Sequence, residues 1–296
     1  MFWKRFISGT VILILTLLFC SIGGPVLAAV LCTISIIAYI EFTRATKVRE
    51  PGHRANVLQV FGIIGIVMYY LLILSKDDTV RLPDGFSQWM NGEYGNFNYF
   101  TIIMLLMFTV VILSILGVYV FTYPKFNSVQ VSNAVFGLVY ITLMISFIYF
   151  LRERPDGIYL VWMAFIPAWV TDTCAYFTGS LFGKHKMTPV LSPKKSIEGA
   201  IGGLVCAAIA GGLYGWFYSY ANDRGFYTIL MFAIISFIGG IVSMFGDLAA
   251  SAIKRNNDVK DYGKIIPGHG GILDRFDSVI FTAPMVFFLF SLFPNL

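Results

Sequence analysis

The chain has 296 residues, of which 57% are hydrophobic and 12% charged, and its mean hydropathy is +0.77. That composition excludes a soluble globule, points to an all-α polytopic membrane protein, and leaves no room for a second soluble domain. The formal net charge of +5 matters less than where the cations fall. Cys20, Cys32, Cys174 and Cys206 all sit in apolar stretches without CxxC spacing, so they suggest neither a disulfide framework nor a zinc site and read as small packing residues. Nucleic acid is not expected as a partner.

Lys4 and Arg5 open the chain, and an uncharged run from Phe6 to Ala29 follows, interrupted by Gly23-Gly24-Pro25. Two helices joined at that break is the preferred reading; a cleaved signal peptide is the alternative, disfavoured because the apolar run resumes at once. Runs long enough to cross a bilayer follow at residues 25–43, 56–75, 98–123, 132–151, 158–182, 197–221, 226–254 and 277–294. With the first run this gives about nine transmembrane helices. A cytoplasmic N-terminus then puts sixteen of the 21 Lys and Arg residues on the cytoplasmic side, so helix count and orientation support each other. The longest loop on the outer side, from Lys76 to Phe97, reads as a solvated connector. Residues 1–155 are expected to form scaffold helices and residues 156–296 a catalytic region, within one integrated membrane domain.

The sixth apolar segment differs from those before it because Asp172 lies inside it. An ionisable residue at such a position costs at least ~2.5 kcal/mol on insertion scales and is by default functional. Tyr176, Gly179 and Gly183 continue its helical face, and the small residues are expected to open a groove beside the acid. Gly183-Lys184-His185-Lys186 and the stretch Leu191 to Gly199 come next. Ser196 is placed to cap the following helix, and Lys194 and Lys195 at its positive end would suit a phosphate. Topology-setting cations with an ordinary cap explain the same residues, and spacing alone does not choose.

The most charged stretch runs from Gly246 to Ser278, between two strongly apolar segments. It carries Asp247, Asp258, Asp261, Asp274 and Asp277, the cations Lys254, Arg255, Lys260, Lys264 and Arg275, and His269. If the preceding helix continues through Asp247, then Ser251, Lys254 and Arg255 share its face at four, seven and eight residues on. Asp274 and Asp277, three residues apart, point the same way and could hold a hard divalent cation through oxygen. Between them and the helix, Pro267-Gly268-His269-Gly270-Gly271 forms a turn whose bare backbone can approach a phosphate. Acid pairs, cations and a glycine-rich turn together describe a metal and polyphosphate site.

This stretch resembles the phosphatidate cytidylyltransferase (CDP-diacylglycerol synthase) family, whose motif has the form S-x-x-K-R-x4-K-D-x-G-x3-P-G-H-G-G-x-x-D-R-x-D. It appears here as Ser251, Lys254, Arg255, Lys260, Asp261, Gly263, Pro267, Gly268, His269, Gly270, Gly271, Asp274, Arg275 and Asp277, with no departure. Upstream, Asp172, Ala175 and Tyr176, then Gly183-Lys184, then Ser192, Pro193, Lys195, Ser196, Glu198 and Gly199 match the same family's D-x-x-A-Y…G-K…S-P-x-K-[ST]-x-E-G pattern. The resemblance covers roughly residues 160–280; the first half offers only hydropathy.

The resemblance implies the reaction of CTP with phosphatidate to give CDP-diacylglycerol and pyrophosphate, with Mg²⁺ and room for a second metal ion. Asp247 and Asp274 are the leading metal candidates, followed by Asp277 and Asp172. Lys254, Arg255, Lys260, Arg275 and Lys195 would contact phosphates, with Ser196, Ser251, Asp261, Gly270 and Gly271 lining the substrate site. His269 is expected to donate a hydrogen bond from the turn rather than to take a proton. The expected location is the bacterial inner membrane with the site facing the cytoplasm. A homodimer is compatible with the sequence, which does not fix the oligomeric state. A CTP-dependent polyprenol or other lipid kinase would need similar groups but would release CDP; an anionic-solute transporter would accommodate Asp172 but leaves the one-sided charge unexplained.

Overall fold

The computed structural model describes residues 2–49, 56–75, 92–94, 97–266, 268 and 270–293. Among these residues there are ten helices and almost no sheet: α1 (Phe2–Ile22), α2 (Gly24–Ala45), α3 (Val57–Leu74), α4 (Tyr99–Phe121), α5 (Ser128–Arg152), α6 (Gly157–Phe182), α7 (Ile197–Ala221), α8 (Phe226–Asn256), the short α9 (Leu273–Phe276) and α10 (Val279–Leu292). α2 to α8, and α9 with α10 taken together as Leu273–Leu292, make eight spans long and apolar enough to cross a membrane; the apolar part of α1 described is Ile7–Ile22. The protein is therefore an integral membrane protein. The eight spans fall on the runs that hydropathy picks out. α1 and α2 meet at Gly23 and Gly24, whose φ angles of 70° and 51° lie in the left-handed region where glycine carries no Cβ penalty. The Lys76 to Phe97 connector falls almost wholly outside the described residues.

Local chemistry sets several helix starts. Asn56 caps α3 by accepting from the Gln59 N–H, and Asn127 and Gln130 form a reciprocal capping box at the start of α5. Within α5, residues 138–143 adopt a π turn, and within α6 residues 161–164 form a 3-10 turn, so neither span is a uniform α-helix.

The chain divides into two compact units, residues 1–146 with 262–273, and residues 147–261 with 274–296. In the first unit, α2 meets its neighbours through buried polar pairs: Ser35 with Tyr70 at 3.0 Å, Tyr39 Oη donating to Ala134 O, and Gln59 donating to Thr43 Oγ1 at 2.7 Å. Hydrogen bonds between helices add to packing where lipid supplies no hydrophobic drive for helices to associate.

In the second unit, small residues at every fourth position of α7 let its neighbours approach closely. A Cβ on Gly203 would lie 2.8 Å from Thr171 O of α6, and one on Gly215 would lie 2.6 Å from Phe232 Cβ of α8. Ser236 Oγ donates to Ala207 O at 2.7 Å, and Thr282 Oγ1 donates to Ala164 O at 2.6 Å, tying α8 to α7 and α10 to α6. All four cysteines are free thiols, as their spacing implies.

The expected groove at Gly179 and Gly183 is not what those glycines provide. A Cβ on either would crowd Ser196 Oγ, at 2.9 and 2.7 Å, so the missing side chains admit the start of α7. Helical spacing correctly puts them on one face but cannot say that another segment fills the space.

Candidate functional site

The second unit assembles acids and bases from four separate segments. α8 runs unbroken from Phe226 to Asn256, so Asp247, Ser251, Lys254 and Arg255 do lie on one helix. Lys254 and Arg255, adjacent in sequence, diverge in environment. Lys254 is buried and its Nζ lies 2.8 Å from Asp274 Oδ1 and 4.0 Å from Asp277 Oδ2, so the two acids do point the same way. Arg255 is exposed and donates to Val259 O at 3.4 Å. Asp274 and Asp277 are both buried, and Asp277 Oδ1 accepts the Ser278 N–H.

Lys195 reaches the same unit from the other motif. It stands at the end of a two-stranded hairpin, β1 (Lys186–Thr188) and β2 (Ser192–Ser196), that hydropathy and spacing give no sign of. Ser196 then caps α7 through its Oγ and the Gly199 N–H, as its position suggests. Lys195 Nζ comes within 2.5 Å of Asp247 Oδ2. Glu198, in the first turn of α7, accepts the N–H groups of Lys184 and His185 and pairs with His185 Nδ1 at 2.6 Å, which holds the Gly183-Lys184-His185 turn against the helix.

Asp172 belongs to this cluster. Its Oδ2 lies 3.4 Å from Ser278 Oγ, and Asp247, Asp277, Lys195 and the exposed Arg275 are close enough to interact electrostatically with its carboxylate. The unit therefore gathers four carboxylates and three cations, drawn from α6, β2, α8 and the α9–α10 segment. Lys260 and Asp261, on the loop after α8, are exposed, and Ser251 is half-buried.

Among the described residues no three His, Cys, Asp or Glu side chains converge as a ready ligand set for a metal. Lysines lie against the two acids that the sequence ranks first, Lys195 against Asp247 and Lys254 against Asp274. The donor chemistry nonetheless suits a hard cation: every candidate ligand is a carboxylate, and carboxylates outnumber cations in the cluster. Burying that many like charges is unfavourable unless further positive charge is supplied.

The glycine-rich turn belongs to the first unit. Pro267 and His269 lie outside the described residues. Gly268 and Gly270 have φ of 79° and 83°, and the Ile266 N–H donates to Gly270 O at 2.9 Å to close the turn. Gly263 and Gly271 lack side chains for a different reason: the carboxylate of Glu41 in α2 occupies the space where their Cβ atoms would be. Glu41 is 1% exposed, and its Oε2 accepts the Leu273 N–H at 2.9 Å. Glu41 belongs to neither motif and lies among helices expected to be scaffold. The available signal was a single carboxylate within an otherwise uncharged apolar run.

Comparison with known proteins identifies the family. The chain matches the model of a cytidylyltransferase family over residues 3–293. It is 32% identical over 262 residues to a phosphatidate cytidylyltransferase of Staphylococcus haemolyticus, covering 88% of this chain and 91% of the relative. To the protein of that name in Bacillus subtilis it is 29% identical over 293 residues, 98% of each. The match runs through the scaffold helices as well as through the charged segments, so the signature is not a borrowed fragment. With similarity along nearly its whole length, the chain belongs to the cytidylyltransferase family and is a nucleotidyltransferase.

Proposed function

We infer that this protein transfers the cytidylyl group of CTP to phosphatidate, giving CDP-diacylglycerol and pyrophosphate. The observation that carries the reading is the meeting of Lys195 with Asp247, and of Lys254 with Asp274 and Asp277, within a membrane-embedded member of this family. The lipid phosphate is a monoester whose second pKa is near ~6, so it is already largely dianionic at neutral pH and needs no strong general base. The obstacle is repulsion between two polyanions. Cationic side chains that neutralise phosphate oxygens and fix an in-line approach to the α-phosphorus answer it.

Asp247, Asp274, Asp277 and Asp172 are the residues that would hold Mg²⁺. Bound there, the ion would screen phosphate charge and stabilise the leaving pyrophosphate. Lys195, Lys254 and Arg275 orient phosphate groups, and by charge Arg255 and Lys260 at the exposed margin attract them. Placing these groups at the ends of apolar helices lets acyl chains stay in lipid while CTP comes from water. The distribution of Lys and Arg along the chain favours a cytoplasmic face of the plasma membrane, where nucleoside triphosphates are.

Detergent-purified protein incubated with CTP labelled in the cytosine ring, phosphatidate and Mg²⁺ should form a labelled lipid and release pyrophosphate, and chelation should stop both. Labelled CDP with no labelled lipid would replace this reading by lipid kinase chemistry. Lys195→Ala should lower turnover on the order of 100-fold. Lys125→Ala, which removes an exposed cation lying 5.7 Å from the centre of the Phe126 ring, should stay within about twofold of wild type. Equal losses in the two variants would reduce Lys195 to a topology signal.

A further inference from the structure

A buried carboxylate in a membrane span needs a reason, because transfer of an ionisable group into that environment is unfavourable. Glu41 lies in α2, far from the signature in sequence, yet its carboxylate reaches the signature loop. Its Oε2 accepts the Leu273 N–H at 2.9 Å, and its two oxygens lie directly against Gly263 and Gly271. One turn further along the same helix face, Arg44 donates to Tyr262 O at 3.0 Å. The Tyr262 ring is buried and sits 6.2 Å from the ring of Phe42. Both ends of the loop 262–273 are thus fastened to the last turns of α2, at Tyr262 by Arg44 and at Leu273 by Glu41.

We propose that Glu41 is a positioning residue for the cytidylyl transfer, setting through the Leu273 N–H where Asp274 begins. Leu273 is joined to Asp274 by one peptide bond and is the first residue of α9, which carries Asp274 and Arg275 and leads into Asp277. Holding that amide holds the starting point of the segment that meets Lys254. Gly263 and Gly271 follow from the same arrangement: any side chain at either position would displace the carboxylate. Arg44 acts at the opposite end of the loop and completes the clamp. This inference rests on the proposed role of Asp274.

The test uses the full-length protein in detergent with Glu41→Ala, Glu41→Gln and Arg44→Ala, reading kcat and the CTP KM separately, together with amide hydrogen exchange in peptides containing Leu273. Glu41→Ala is expected to speed exchange at Leu273 by about tenfold or more while exchange in α7 and α8 is unchanged. Its kcat should fall by roughly 10- to 100-fold with the CTP KM within about threefold, since displacement of a reacting group costs turnover rather than nucleotide affinity. Glu41→Gln, which keeps an acceptor oxygen for the Leu273 N–H, should recover most of both. Should Glu41→Ala fail to purify, Glu41→Gln and Arg44→Ala carry the test, with Arg44→Ala loosening the Tyr262 end and lowering kcat. Unchanged exchange at Leu273, or faster exchange with wild-type kcat, overturns the proposal. Equal losses in the Gln and Ala variants overturn it too, by assigning the effect to the charge rather than to the hydrogen bond. Absence of lipid labelling by wild type would defeat the functional reading, and the exchange measurement would still report on the clamp.

Discussion

Asp247→Asn and Asp277→Asn should each lower Mg²⁺-dependent pyrophosphate release by on the order of 100-fold or more, while the proteins insert, purify and melt as wild type does. The substitution keeps size and one oxygen and removes only charge. In a cluster where carboxylates outnumber the lysines and arginine, that charge has no structural surplus of cations to neutralise. Asp247 is half-buried against Lys195, and Asp277 lies 4.0 Å from Lys254, so neither loss leaves a large cavity. What disappears is the negative potential that would recruit a divalent cation, together with the alignment it gives the triphosphate. A Mg²⁺ titration of pyrophosphate release makes the comparison. Turnover near wild type in both variants would remove the acids from the reaction and, with them, the metal reading.

Lys254→Met should fail in a different way. Lys254 and Asp274 are only 10% and 3% exposed at their side chains, and their 2.8 Å contact is a buried ion pair. Removing the ammonium leaves a carboxylate buried beside another, and breaking such a pair from one side costs about 3–5 kcal/mol. The apparent melting temperature in detergent should fall by roughly 10 °C. The double variant Lys254→Met with Asp274→Asn should regain part of that stability, because the carboxylate nearest the missing ammonium is neutralised while buried Asp277 keeps its charge, yet it should remain inactive, having lost a phosphate-binding cation and an acid of the cluster. A double variant that melts no higher than the single would mean that the lysine acts on stability through something other than Asp274. A double variant with substantial turnover would exclude the pair from catalysis.

How much of this could be read from the amino acids depends on the range of the interaction involved. Spans were legible because crossing a membrane is a local requirement: some twenty apolar residues in succession, with charges at the ends. The Ser196 cap was legible for the same reason, since its partner is the amide of Gly199. The motif residues were legible as chemistry, as a crowd of acids and cations where apolar chain would be expected. Their pairing was not, because Lys195 meets Asp247 only if α7 packs beside α8, and it does so through glycines that look, in sequence, like ordinary helix-weakening residues.

The class of protein, the positions of its spans and the inventory of charged groups were thus readable from the amino acids, each being fixed by residues close together along the chain. It took the packed fold to show that Lys254 rather than Arg255 turns inward to Asp274, that Gly179 and Gly183 admit Ser196 rather than a ligand, and that Glu41 returns to hold Leu273 across 232 residues. Those outcomes depend on which helices lie side by side, and side-by-side packing is settled by the shapes of surfaces that distant parts of the chain bring together.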